Sequence, residues 1–101
     1  MNEMVILQPA ARQDFLDAHD WYEQQRDGLG RAFESAVDQT LEMISASPES
    51  FPTVHRDIRR ALVRPFPYGV FYRIRGQTIH VFAVMHGRRE PTRWISRTTP
   101  D

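Results

Sequence analysis

Two amphipathic helical patterns within residues 9–45, parted only by Asp27-Gly28-Leu29-Gly30, limit the fold more than anything else in this chain. Over residues 9–25, Ala11, Phe15, Ala18 and Tyr22 recur at steps of four, three and four, with Leu16 beside them. That is the spacing of one helix face. Pro9 suits a first helical turn, where its missing N–H has no partner to lose. Arg12, Asp14, Asp17, Asp20 and Glu23 take other positions, and Trp21 flanks the stripe. Over residues 29–45, Leu29, Phe33, Val37, Leu41 and Ile44, joined by Ala36 and Thr40, mark a second buried face. Glu34, Asp38 and Glu42 form a solvated acidic stripe. Two glycines and an Asp27 able to cap make the connection, and Ser47-Pro48 ends the second helix. So short a link demands an antiparallel hairpin, whose apolar side needs a cover.

The rest of the chain supplies that cover. Residues 4–8 and 60–64 read as short strands, the latter followed by a break at Pro65-Phe66-Pro67-Tyr68-Gly69. Residues 70–75 alternate, with Val70, Tyr72 and Ile74 on one face and Phe71, Arg73 and Arg75 on the other. Gly76-Gln77 makes a tight turn into residues 78–86. There Ile79, Val81, Ala83 and Met85 are expected on one face, and His80, Phe82, Val84 and His86 on the other. Both faces are partly apolar, so this strand belongs inside the sheet. The expected class is α+β: a βααβββ chain with a two-helix hairpin packed on a small, mostly antiparallel sheet. Residues 1–101 read as a single domain. The place of the first strand is not fixed by patterning.

With no cysteine, disulfides and thiolate metal sites are excluded, which is compatible with a cytoplasmic protein. The start, Met1-Asn2-Glu3-Met4, carries an acid before a brief apolar run, so no signal peptide is expected. No apolar stretch reaches membrane-spanning length, and no membrane partner is expected.

Charge divides the chain. Residues 1–51 hold three arginines against ten acids, a formal net of −7, and residues 52–101 hold ten against three, a net of +7. There is no lysine. Arginine suits planar, bidentate contacts to phosphate or carboxylate; codon bias also accounts for missing lysines, but not for the segregation. Arg56, Arg59, Arg60 and Arg64, then Arg73 and Arg75, then Arg88, Arg89, Arg93 and Arg97 fall on segments that a compact sheet brings together. Such a face focuses anions and suits a nucleic-acid backbone or an acidic protein segment. The alternative is a solvated surface whose arginines pair with the acidic helices.

His86 ends a strand and precedes Gly87-Arg88-Arg89. A neutral imidazole near neutral pH accepts a proton. RNA cleavage by a 2′-hydroxyl would use His86 as general base, with arginines stabilising phosphoryl charge. A structural alternative has His86 fixing the strand end. His80 is expected on the same face, but roughly 20 Å away along the strand. His19, His55, His80 and His86 lack ligand-like spacing, and no glycine loop suits a phosphate, so neither metal nor cofactor is expected. Phe66, Phe71, Tyr72 and Phe82 are expected in the core. Tyr68 and Trp94 adjoin breaks and are the candidates to stack on a base.

The chain resembles the RelE/ParE toxins of bacterial type II toxin–antitoxin systems, which include plasmid-stabilisation proteins. The likeness spans nearly its whole length and is sharpest in Arg60-Ala61-Leu62-Val63, Phe66-Pro67-Tyr68-Gly69-Val70-Phe71-Tyr72-Arg73-Ile74 and Ile79-His80-Val81-Phe82-Ala83-Val84-Met85-His86-Gly87-Arg88-Arg89-Glu90-Pro91, with Trp94 beyond. The resemblance implies a toxin held inactive by a cognate antitoxin whose C-terminal segment covers the basic face. RelE-like members cut mRNA on the ribosome; ParE-like members bind DNA gyrase and catalyse nothing. Arg60, Arg64, Arg73 and His86 match the active face if the chain is a ribonuclease. Under either reading, Arg59, Arg88, Arg89, Arg93, Tyr68 and Trp94 are expected to contact target or phosphate. The missing lysines and the Gly87 after His86 depart from the ribonuclease pattern, and the His-Gly-Arg-Arg ending is similar to ParE-like proteins. A further alternative is an inactive protein that only binds an antitoxin.

Overall fold

The computed structural model describes residues 3–87 and 91–98. Strand β1 (Met4–Leu7) leads into helices α1 (Pro9–Gln25) and α2 (Leu29–Ala46). Pro9 stands in the first turn of α1, which buries Ala11, Ala18 and Tyr22. Helix α2 buries Phe33, Ala36, Val37, Thr40 and Ile44, while Glu34, Asp38 and Glu42 stay exposed. The cap between the helices is not Asp27. Glu23 instead accepts the backbone N–H groups of Gly28 and Gly30, each at 3.0 Å. These are donors that a helix start leaves without intrahelical partners. Gly28 holds the turn with a left-handed φ of 88°. Gly30 lets the helices touch, because a Cβ there would lie 2.9 Å from the His19 carbonyl oxygen.

The sheet contains β2 (Thr53–His55), β3 (Ile58–Val63), β4 (Tyr68–Arg75) and β5 (Thr78–His86) as well as β1, in the order β1-β5-β4-β3-β2. Strand β1 runs parallel to β5, and the other pairs are antiparallel. The expected α+β hairpin-on-sheet architecture is therefore present, with β5 inside the sheet. Two short elements extend it: β2, too brief to show a period, and helix α3 (Pro91–Ile95). Strand β4 also takes Tyr68 and Gly69 from the expected break.

Two apolar layers hold the sheet. Between helices and sheet, the fully buried Phe33 ring lies 5.2–5.9 Å from those of Phe15, Tyr22, Phe66 and Tyr68. Tyr72 is buried there too; its hydroxyl donates to the Pro48 carbonyl at 2.6 Å, and burial pushes the phenol up to about 12. On the opposite face, Trp94 of α3 covers Ile58, Phe71, Ala83 and Met85. It stacks on Phe71 with ring centroids 4.6 Å apart.

Candidate functional site

The placement of His86 is decided by a β-bulge. Tyr72 faces Val81 and Phe71 faces Ala83, so Phe82 is an extra residue in β5. One extra residue reverses the inward–outward alternation beyond it. Ala83 and Met85 accordingly join the Trp94 face, while Val84 joins the helix-side core. This corrects the expected alternation of β5. His86 lies opposite Tyr68, so it turns towards the helices, away from the face that carries His80. The rings of Tyr68 and His86 meet at 5.7 Å.

His86 lines a cavity of about 530 Å³ between α1 and the end of β5, together with Asp14, Asp17, Trp21, Tyr68 and Arg93. Trp21 is 54% exposed and packs edge-on against Tyr22. The cavity floor is tied down by Asp14. Beyond Leu7, β1 no longer covers the outer edge of β5. Asp14 accepts the Val84 N–H at 3.1 Å, and Arg97 donates to the Phe82 carbonyl at 3.3 Å. Arg97 also grips the Asp14 carboxylate through both terminal nitrogens, at 2.5 and 3.2 Å. An otherwise open sheet edge is thus closed by side chains.

Among the described residues, the strand arginines do not gather on one face. Arg73 is on the face opposite His86, 8% exposed; its Nε reaches the Asp57 carboxylate at 3.0 Å and its guanidinium lies 5.3 Å over the Phe82 ring. Arg60 shares that face, its stem against Gly69. Arg64 is exposed just beyond β3. Arg59 is on the helix side, donating to the carbonyls of Phe51 at 2.5 Å and Glu49 at 3.3 Å, which fastens the chain between α2 and β2. Arg93 is exposed and borders the His86 cavity. Arg88 and Arg89 lie outside the described residues. Trp94, expected to be open to a base, is 6% exposed and packed in the core. Tyr68 is half-buried among Tyr22, Phe33 and His86. Among the described residues no group of His, Asp or Glu could hold a metal ion, and no helix is long and apolar enough to cross a membrane.

Sequence reasoning missed the contribution of α1 to this cavity. A signal was present for Asp14, three residues after the buried Ala11 and four before the buried Ala18. An acid at that position sits beside the core-facing stripe and needs a partner there.

Residues 5–91 match a protein family described as the ParE toxin of the type II toxin–antitoxin system parDE. The chain is 27% identical over 92 residues to Toxin ParE2 of Mycobacterium tuberculosis, in strains CDC 1551 / Oshkosh and ATCC 25618 / H37Rv. That alignment covers 90% of this chain and 88% of the relative. A solved chain from the chromosomal ParDE toxin–antitoxin system of P. aeruginosa superposes with a TM-score of 0.71 at 14% identity, covering 83% of this chain and 95% of the other.

Proposed function

This chain belongs to the ParE toxin family of type II toxin–antitoxin systems, and from that premise we propose that it is a toxin acting by binding DNA gyrase. A cognate antitoxin holds it in check by binding it. The observation that favours a protein target over RNA cleavage is the separation of the ribonuclease candidates. His86 faces the helices, while Arg73 is buried on the opposite face and engaged by Asp57. A base and a phosphate-stabilising cation must reach the same reacting group, within about 3 Å of it, to act together. The end of β5, with His86, Tyr68, Trp21 and Arg93 around one cavity, is the target-facing region in this reading.

Purified protein added to gyrase and to a translation extract tests the choice. Inhibited supercoiling with accumulated cleaved-DNA complexes is expected, with mRNA left intact. Unchanged supercoiling at excess protein together with codon-localised mRNA cuts would instead establish the ribonuclease alternative.

A further inference from the structure

Four aromatic rings follow one another along the cavity between α1 and the end of β5. Trp21 meets Tyr22 at 5.1 Å, Tyr22 meets Tyr68 at 5.9 Å, and Tyr68 meets His86 at 5.7 Å. Tyr22 and Tyr68 are fixed by the core, each with its ring centroid 5.2 Å from that of Phe33. Trp21 lies at the open end of this row and is 54% exposed. A half-exposed indole on a concave wall is a stacking surface that folding does not use. The volume of about 530 Å³ falls within the range of small-molecule sites.

The charges around these rings are of both signs and do not neutralise one another. Asp14 is committed, because Arg97 and the Val84 N–H occupy its carboxylate. Asp17 is exposed and forms no ion pair among the described residues; the Gln13 Nε2 donates to its Oδ1 at 2.9 Å. An ionised carboxylate has about four acceptor positions, so room remains for two more donors. Asp17 precedes Trp21 by one helical turn and therefore stands beside it on the same face of α1. From the other side, the exposed Arg93 of α3 borders the cavity, also without an acid partner among the described residues. An aromatic wall with an acceptor beside it and a cation beyond it suits a flat ligand that donates at one edge and is anionic at its other end.

We propose that this cavity binds a guanine nucleotide: the base stacks on Trp21, its ring N–H and exocyclic amine donate to Asp17, and Arg93 meets the 5′-phosphate. Among the bases, guanine alone offers two adjacent donors on its pairing edge, which a carboxylate accepts side by side. Adenine presents one donor next to an acceptor, and that acceptor would face a carboxylate oxygen. An arginine side chain from a protein partner would also satisfy Asp17, but it would bring its charge against Arg93. Nothing in this arrangement depends on whether the toxin attacks gyrase or mRNA.

Calorimetric titration of the whole protein with GMP, AMP and guanosine tests the site. GMP should bind, AMP about tenfold more weakly for its mismatched edge, and guanosine about fivefold more weakly for want of the phosphate. Trp21→Ala should weaken GMP about tenfold, the scale of base stacking, and Trp21→Phe should recover part of the loss. Asp17→Asn should remove the preference for GMP over AMP, since an amide pairs well with a donor-and-acceptor edge. A general fault in folding would lower both affinities instead. Arg93→Ala should bring GMP down to the level of guanosine. A thymidine oligonucleotide carrying one guanine separates the two sources of the ligand. Binding at least tenfold tighter than GMP would identify a guanylate within a strand, and equal or weaker binding a free nucleotide. No binding of GMP, equal affinity for AMP and GMP, or undiminished affinity in Trp21→Ala would each overturn the proposal.

Discussion

Asp14 and Arg97, 83 residues apart in sequence, are joined by two hydrogen bonds, and the same carboxylate accepts the Val84 N–H. The acidic and basic halves of the chain therefore meet where the sheet edge needs closing. Asp14 is 16% exposed, so its loss leaves a strand N–H and a guanidinium without their acceptor. Asp14→Ala should cost about 2–3 kcal/mol, as expected for breaking a mostly buried charge-assisted network. Asp14→Asn keeps an acceptor for Val84 and should cost about 1 kcal/mol. Urea denaturation checks both; an alanine variant as stable as the parent would remove Asp14 from this role.

Glu23 gives a pH dependence with a definite sign. The N–H groups of Gly28 and then Gly30 hold its carboxyl below the usual range. A carboxylate depressed in the folded state stabilises the fold above its unfolded value, and that stabilisation disappears as pH falls through the lowered native value. The parent should exceed Glu23→Gln in urea midpoint at neutral pH, and the gap should close in strong acid. A gap that widened on acidification would contradict the capping role.

Gly30 tests how closely the helices approach. Alanine favours a helix over glycine by roughly 1 kcal/mol, so propensity alone predicts stabilisation. The added Cβ would meet the His19 carbonyl at 2.9 Å, and a backbone oxygen within a helix cannot step aside cheaply. Gly30→Ala should therefore be destabilising by about 1–3 kcal/mol, the scale of overpacking. A rise in melting temperature would show that the hairpin relaxes freely.

The hairpin and the α+β class were legible because helical and strand periods differ and the linker is short. The β5 bulge was not legible. Ala83, Val84 and Met85 are all apolar, so moving them between two apolar layers leaves no mark on the pattern. Asp27 looked like the cap because it adjoins the helix start, yet Glu23, a turn back on the preceding helix, reaches the donors. Trp94 was misjudged because the five-residue helix that lays it on Phe71 is too short to show a period. The face assignment of His86 failed with the bulge, which sets it on the opposite face of the sheet from Arg73.

That separation makes a last prediction. His86 and Arg73 stand on opposite faces of the sheet, and Arg73 is engaged with Asp57 and Phe82. Side chains without shared partners act additively within about 0.5 kcal/mol, whereas members of one catalytic unit do not. Arg73→Ala should destabilise the fold by about 1–2 kcal/mol through lost packing and pairing. His86→Ala should leave stability nearly unchanged and weaken gyrase inhibition by altering the cavity beside Tyr68. The double variant should then show the sum of both stability effects and no further loss of inhibition per folded molecule. If the two substitutions proved redundant in activity, each alone removing all that the pair removes, His86 and Arg73 would have to share one reacting group. The bulged register of β5 would then be wrong for the active protein.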